Sequence, residues 1–241
     1  HNFRKTPESL NSIYGKIKKF GPDFIKIVTK ANTATDSCKI FDLIKSANKE
    51  KRKIIAFCMG QYGQPSRILS LILGSQITYA SISREKESAS GQITLGEIND
   101  VYRIKKINKN TKIAGLIGNP VGHSWSHIMH NAAFDRIGFN AVYLKFRVDK
   151  LKEFIEYFRK LNLIGFSVTI PHKVSIMKCL DKIDKKAKAI GAVNTITVEN
   201  KKLVGYNTDC DGAMQALKEK IELNGKNAAV LGAGCSARAI I

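Results

Sequence analysis

Residues 165–173 read GFSVTIPHK, in which a short apolar stretch leads into a proline, a histidine and a lysine. The alternation of bulky, small and β-branched side chains over 166–170 predicts a short buried strand. Pro171 has no amide hydrogen for a strand ladder and disfavours helical backbone at the residue before it, so we expect the strand to end there. The last two residues of the stretch then begin a predicted helical segment. Lys173 would therefore lie at a junction that rigid elements fix from both sides.

An acidic partner is expected for Lys173, because the positive end of a following helix disfavours a cation unless an acid is close. GYNTD at 205–209 offers Asp209. Alone, this pattern also suits a surface lysine after an ordinary turn and an aspartate that caps a helix beginning near 211. Three further motifs accompany it: GNPVGHSWS at 118–126, IGAVNT at 190–195 and AVLGAGCSAR at 229–238. The last predicts a strand entering a G-x-G-x-x-A loop, whose backbone can approach a pyrophosphate.

Together these motifs resemble those of shikimate dehydrogenase, and the resemblance covers roughly residues 111–241. It implies NADP-dependent reduction of a ketone, with Lys173 as the proton carrier and Asp209 setting its charge and orientation. The hydroxyls of Ser124 and Ser126 would bind the carboxylate of the substrate. Its ring hydroxyls would be held by Thr169, Asn194 and Asp209. The cofactor would lie on the loop formed by Gly232, Ala233, Gly234, Cys235 and Ser236.

Upstream of this region, predicted strands alternate with predicted helices. Two near-continuous apolar stretches, 24–29 and 53–59, predict strands buried on both faces, and 76–80 predicts a third. Helices are predicted over about 10–20, 34–48 and 65–73. This alternation is typical of a parallel sheet. Far fewer strands precede residue 105 than the about eight that a (β/α)₈ barrel needs.

Short stretches in this first region resemble the C-terminal half of type I 3-dehydroquinate dehydratase, a barrel enzyme. They are HNFRKTP at 1–7, FIKIVT at 24–29, FCMG at 57–60, SRIL at 66–69 and SASGQ at 88–92. By this resemblance Lys26 forms a Schiff base with the ketone of the substrate, and His1 is the general acid and base. Arg67 would clamp the carboxylate, and Ser88 and Gln92 would hold hydroxyls.

Those residue types suit a dehydration. An imine on Lys26 draws electrons from the neighbouring carbon, and a histidine can remove a proton there and protonate the departing water. We expect burial in an apolar strand to favour the neutral, nucleophilic amine of Lys26. Taken alone, Lys26 could instead be a strand-end lysine whose ammonium reaches water. Ser90 departs from the family, which usually has proline in this closing loop.

The predicted fold class is therefore α/β in three parts. Residues 1–106 would be the C-terminal part of a (β/α)₈ barrel, 111–224 a shikimate-dehydrogenase-type substrate domain, and 225–241 the start of a Rossmann NADP domain. In the second and third parts, strands are predicted over 113–118, 141–148 and 228–231, with two short ones flanking 200–202. Helices are predicted over 125–138, 151–162, 174–190 and 211–223.

Composition narrows the function further. The formal net charge of +20 is spread over lysines without aromatic platforms, so we expect no nucleic-acid partner and a field that attracts anionic substrates. No apolar run is long enough to predict a membrane span. The five cysteines lack C-x-x-C spacing, which favours a reducing compartment, namely the cytoplasm, or a plastid in a plant. No metal is expected, because the resembled family does not use its histidines as ligands; here they are His123, His127, His130 and His172.

We interpret the chain as an internal piece of a fused shikimate-pathway enzyme, poorly active by itself. It would convert 3-dehydroquinate to 3-dehydroshikimate and reduce that to shikimate. Two alternatives stay open: a shikimate or quinate dehydrogenase with an inactive barrel, and a basic binding module without catalysis. Trp125 and His127 stand where the family commonly has lysine and proline, so preference between shikimate and quinate is not predicted.

Overall fold

The N-terminal part of the chain alternates helices with parallel strands, as predicted. The computed structural model describes residues 1–241. The elements of this part are α1 (Leu10–Lys18), β1 (Phe24–Lys30), α2 (Asp36–Lys49), β2 (Lys53–Met59), α3 (Ser66–Ile72), β3 (Ala80–Ser81) and β4 (Ile93–Thr94). β1 and β2 pair in parallel over their whole length, and β3 pairs in parallel with β4 as a separate small sheet. Short turns of 3₁₀ and π helix lead from β4 to the second part.

Two predictions for this part are wrong. The predicted strand over 76–80 is absent except for its last residue, because Gln76 donates a single backbone hydrogen bond to Ile54 before the chain leaves β2. A strand needs a continued ladder of such bonds. The first helix, predicted over about 10–20, ends at Lys18. Phe20 therefore lies beyond the end of α1, where it is 88% exposed.

The second part is built on a six-stranded mixed sheet. Its strands are β5 (Lys112–Gly118), β6 (Ala141–Arg147), β7 (Leu163–Val168), β8 (Lys182–Ile183), β9 (Thr195–Glu199) and β10 (Lys202–Tyr206), in the order β6-β5-β7-β9-β10-β8. β5 pairs in parallel with β6 and β7, whereas β9 is antiparallel to both of its neighbours. The helices are α4 (Ser126–Arg136), α5 (Leu151–Phe158), α6 (His172–Ser175), α7 (Lys185–Ile190), α8 (Asp209–Lys218) and α9 (Cys235–Ile240).

Strand β7 shows why the stretch at 165–173 has its particular residues. A Cβ added at Gly165 would lie 2.2 Å from the carbonyl oxygen of Ile196 on β9, so only glycine allows the two strands to approach. Phe166 and Val168 are buried in the core on one face of the sheet. The strand ends at Val168, two residues before the predicted end, and α6 begins immediately after Pro171.

Two predictions for the second part are also wrong. The predicted helix over 174–190 is interrupted, because Asp181 and Asp184 donate backbone hydrogen bonds to β10 and the residues between them form β8. The side chain of Asp184 then caps α7. The predicted strand over 228–231 is not formed, since no neighbouring strand pairs with it. A strand is stabilised by its partners, and an apolar sequence alone does not supply them.

The two parts share one hydrophobic core. The largest cluster of buried apolar side chains contains residues of α2 and α3 together with residues of β5, β6, β7 and α5. Phe41 of α2 packs 6.2 Å from Tyr157 of α5, measured between ring centroids. The hydroxyl of Tyr157 donates to Asp42 at 2.7 Å. None of the helices combines the length and the apolar character needed to cross a membrane.

Candidate active sites

The ammonium of Lys173 and the carboxylate of Asp209 form an ion pair, with Lys173 Nζ 2.6 Å from Asp209 Oδ2. Lys173 lies in α6 just after β7, and Asp209 is the first residue of α8 just after β10. Asp209 does not cap that helix, because Thr208 occupies the capping position. The positive end of α8 still stabilises a carboxylate there. The lysine side chain is 17% exposed and the aspartate 33%, so a small molecule can reach the pair.

Asn194 holds the second oxygen of Asp209. Its side-chain amide donates to Asp209 Oδ1 at 2.7 Å, and its carbonyl oxygen accepts from the amide of Thr208 at 3.0 Å. The backbone amide of Val193, just before it, donates to the carbonyl of Lys173 at 2.8 Å. These contacts fix three separate segments against one another, so the ion pair has a defined orientation.

Two serine hydroxyls lie together at the start of α4. Ser124 Oγ donates to Ser126 Oγ at 2.9 Å and accepts from the amide of Ser126 at 3.2 Å. Trp125 between them is 77% exposed and points away from the core. Thr169 follows β7, and its methyl group packs so closely on Gly118 that a Cβ there would lie 2.3 Å away. The loop after β5 is therefore held against the end of β7.

The glycine-rich loop lies in front of Lys173. A cavity of about 380 Å³ is lined by Lys173 and Val174 and by the loop residues Gly232, Gly234, Cys235 and Ser236, among others. Gly232 has φ of +114°, and a Cβ added there or at Gly234 would meet no atom within 4 Å. Open space over these glycines is what a dinucleotide phosphate needs for close approach. The loop residues present therefore fit the NADP predicted from the sequence, although the strand predicted before them is absent.

In the N-terminal part, His1 and Lys26 lie on one face of the small sheet. Asn2 lies opposite Thr29 of β1, and its amide donates to Val28 at 2.9 Å. Because side chains alternate along strands, His1 shares a face with Val28 and therefore with Lys26. The expected burial of Lys26 is wrong: its side chain is exposed, and its ammonium lies 4.0 Å from the ring centroid of Tyr79. No third strand packs over the face of the β1–β2 sheet that carries Lys26.

Arg67 is the most deeply buried charged side chain of this part, with 1% exposure. Its Nε donates to the carbonyl of Gly91 at 3.1 Å, and its guanidinium stacks 4.7 Å from the ring centroid of Phe57. No carboxylate forms an ion pair with it, and its Nη2 has no hydrogen-bond partner. Burial lowers the pKa of Arg67 to about 10. A buried cation without a partner is costly, and an anionic ligand would offset that cost.

Ser88 and Gln92 meet in the loop that carries Gly91. Gln92 Oε1 accepts hydrogen bonds from the amide of Ser88 at 2.9 Å and from its hydroxyl at 3.1 Å. Ser90 stands where the family usually has proline. Its carbonyl oxygen accepts a hydrogen bond from the amide of Gly60 at 2.8 Å, and its own amide donates none. Arg67, Ser88 and Gln92 are thus connected through one loop. No group of three or more His, Cys, Asp or Glu side chains is close enough to hold a metal ion.

Comparison with known families identifies both parts. Residues 1–109 match the family described as type I 3-dehydroquinase, and residues 116–196 match the shikimate dehydrogenase substrate binding domain. The two matches follow one another along the chain. The resemblance inferred from the motifs is therefore confirmed, as is the α/β class with a barrel segment and a dehydrogenase-type domain.

Proteins that carry both families in one polypeptide are similar to the whole chain. The chloroplastic bifunctional 3-dehydroquinate dehydratase/shikimate dehydrogenase of Arabidopsis thaliana is 37% identical over 100% of this chain and 42% of its own length. The shikimate biosynthesis protein AroDE of Chlamydia pneumoniae is 35% identical over 97% of this chain and 49% of its own. The chain spans less than half the length of these two relatives.

Solved shikimate dehydrogenases match the second part. A shikimate dehydrogenase crystallised with NADP⁺ is 54% identical, with a TM-score of 0.53 over 55% of this chain and 47% of its own. The enzyme from Aquifex aeolicus is 46% identical, with a TM-score of 0.54 over 56% of this chain and 52% of its own. These matches support the dehydrogenase-type architecture of the mixed sheet.

The sequence motifs did not predict a role for Tyr79 in the N-terminal part or for Thr208 in the second part. Tyr79 fell within a predicted strand, and nothing in the pattern indicated that its ring would receive the Lys26 ammonium. Thr208 stands inside GYNTD, directly before Asp209. The hydroxyl of Thr208 accepts a hydrogen bond from the Asn194 side chain at 2.9 Å. The position of Thr208 next to Asp209 in the motif could have indicated that it lies in the site.

Proposed function

We propose that the second and third parts of the chain, 111–224 and 225–241, contribute to an NADPH-dependent reduction of 3-dehydroshikimate to shikimate. The observation that carries this proposal is the 2.6 Å pair of Lys173 and Asp209, oriented by Asn194 and facing the cavity in front of the glycine-rich loop. The similarity to shikimate dehydrogenases supports it, and the chain itself spans only part of such enzymes.

The residues of this site have distinct roles in the proposed reaction. The cofactor, when bound, supplies a hydride to the carbonyl carbon. The Lys173 ammonium donates its proton to the carbonyl oxygen, which becomes the alcohol, and the resulting amine regains a proton from solvent. Asp209 accepts a hydrogen bond from the Lys173 ammonium and limits its rotation. Ser124 and Ser126 bind the carboxylate, and ring hydroxyls are held by Thr169, Asn194 and Asp209.

We further propose that residues 1–106 contribute to the dehydration of 3-dehydroquinate. The Lys26 amine attacks the ketone, and water leaves as the imine forms. His1 then removes a proton next to the imine carbon and protonates the departing hydroxyl, and hydrolysis of the imine frees 3-dehydroshikimate and Lys26. The buried, unpaired Arg67 supports this role, because a substrate carboxylate would satisfy its free Nη2. Ser88 and Gln92 lie in the adjoining loop, where they can hold hydroxyls.

A second candidate, which the sequence leaves open, is that residues 1–106 bind no substrate covalently and only the dehydrogenase acts. Borohydride trapping separates the two, using the protein expressed from its complete reading frame. With 3-dehydroquinate, the proposal expects a reduced adduct on Lys26 by peptide mass spectrometry and none in Lys26→Met. A dehydrogenase with no trapped adduct establishes the second candidate instead.

The dehydrogenase proposal is tested by Lys173→Met in the same protein. We expect the kcat of shikimate oxidation, followed by NADPH absorbance, to fall by about 10²–10⁴-fold, the usual contribution of a positioned proton donor. Lys186→Met is the matched control, because Lys186 pairs with Asp211 in an exposed position. Equal rates for the two variants would exclude Lys173 as the proton carrier.

A further inference from the structure

Tyr143 carries a buried hydroxyl that the protein does not satisfy. The side chain lies on β6 and is 3% exposed, yet its hydroxyl oxygen has no hydrogen-bond partner. Most buried polar atoms are paired, so an orphaned hydroxyl beside a binding site calls for a partner outside the protein. Tyr143 belongs to neither set of motifs that predicted the two sites.

The sheet register directs Tyr143 to the side of the candidate carboxylate site. Tyr143 lies opposite Ala114 on β5, and Ser167 on β7 lies opposite Leu116, two residues further along. Side chains two residues apart share a face, so Tyr143 and Ser167 lie on the same face of the sheet. α4, which begins with Ser126, packs on this face against β6.

The ring of Tyr143 is held in place by α4. His130 stacks on it with 4.3 Å between ring centroids and 10° between planes. His130 lies four residues after Ser126, so both side chains are on one side of the helix. Burial lowers the pKa of His130, which keeps its imidazole neutral at pH 7. The stack therefore orients the phenol without offering a charge to its hydroxyl.

The hydroxyl itself lies close to Ser126 of the candidate carboxylate site and to Ser167 of β7. Burial raises the pKa of Tyr143, and the nearby hydroxyls of Ser167 and Ser126 partly oppose that shift, although neither has the geometry of a hydrogen bond to the phenol. The phenol is thus protonated at neutral pH and able to donate. Ser124 meanwhile donates its only hydroxyl proton to Ser126, so the serine pair alone has one proton left for an anion.

We propose that Tyr143 donates a hydrogen bond to the substrate carboxylate, together with Ser124 and Ser126, and so selects for an acid over its uncharged analogues. This inference rests on the proposed dehydrogenase function. A phenol is a stronger donor than an aliphatic hydroxyl, and its bond to a carboxylate is charge-assisted. Tyr143 is a binding residue, so its loss affects substrate affinity more than the proton transfer by Lys173.

The test is Tyr143→Phe, which removes one oxygen atom, in the protein from the complete reading frame. We expect the KM for shikimate to rise about tenfold or more, with kcat within a factor of about three. For shikimate carboxamide the rise should be smaller, so the preference for acid over amide falls. Without ligand the thermal midpoint should stay equal or increase, because the variant loses a hydroxyl that has no partner.

The matched control is Tyr14→Phe, which removes the hydroxyl of another buried tyrosine, bonded to Glu50 far from this site. It should leave KM unchanged. An unchanged KM in Tyr143→Phe, or a lowered thermal midpoint without ligand, would show that the hydroxyl is purely structural and would overturn the inference. In that case shikimate oxidation by the wild type would still support the proposed function. A wild type that does not oxidise shikimate would overturn both.

Discussion

Replacing Phe41 by alanine should destabilise the N-terminal and second parts of the chain together. Phe41 lies on α2 with 1% exposure, and its ring packs on Tyr157 of α5 within the shared core. Removing a fully buried phenylalanine ring costs about 3–5 kcal/mol. In a chain of this size each kcal/mol lowers the unfolding midpoint by roughly 2–4 °C. We therefore expect a decrease of about 6–20 °C.

The assay compares two reporters during thermal unfolding. Far-ultraviolet circular dichroism follows the whole chain, and brief proteolysis at each temperature, read by mass spectrometry of peptides from β5 and β7, follows the second part. Both midpoints should decrease equally in Phe41→Ala. Phe20→Ala is the control, because that ring is 88% exposed and its loss should change the midpoint by no more than about 2 °C. If the second part became cleavable at an unchanged temperature while part of the dichroism signal was lost earlier, a shared core would be refuted.

Two further predictions concern titratable groups. Hydrogen bonds from Arg159 and from the amide of Leu203 lower the pKa of Asp181. The ionised carboxylate therefore contributes to the stability of the folded state above the unfolded pKa of about 3.9, and this contribution is lost as the pH falls through the folded pKa. Asp181→Asn should therefore be less stable than wild type by urea unfolding at pH 7, with a gap that narrows below pH 4; a constant gap would contradict this. Burial raises the pKa of the Cys38 thiol to about 12 and also raises the pKa of the Cys58 thiol, so both should react with Ellman's reagent only after denaturation. Modification of either in the native protein, mapped by peptide mass spectrometry, would contradict that expectation.

Strands within continuous apolar stretches were the easiest to predict. The stretches at 53–59 and 113–118 appear as β2 and β5 within one residue of their predicted limits. Predictions failed where pairing decided the outcome. Residues 182–183 were predicted to be helical but form a strand, because they pair with β10. Residues 228–231 were predicted to be a strand but form none, because no strand pairs with them. Local patterns report the preference of a segment, whereas a strand exists only with a neighbour.

For the candidate sites, the motifs named the reactive residue types but not their surroundings. Lys173 and Asp209 could be paired from the sequence, because each belongs to a motif that leads from a strand into a helix. The exposure of Lys26 and its contact with the Tyr79 ring could not be predicted, since both depend on which strands cover that face of the sheet. The unpaired guanidinium of Arg67 and the unpaired hydroxyl of Tyr143 were equally invisible, because the lack of a partner is a property of all neighbours at once.

The sequence by itself determined the two families, the position of most helices and strands, and the identity of the residues proposed to react. These follow from apolar periodicity and from motif spacing, which are local properties of the chain. Only the tertiary structure decided that α2 and α3 pack into the core of the second part, and which buried polar atoms remain without partners. Both outcomes depend on contacts between residues far apart in sequence, and burial free energy is gained only when those surfaces meet.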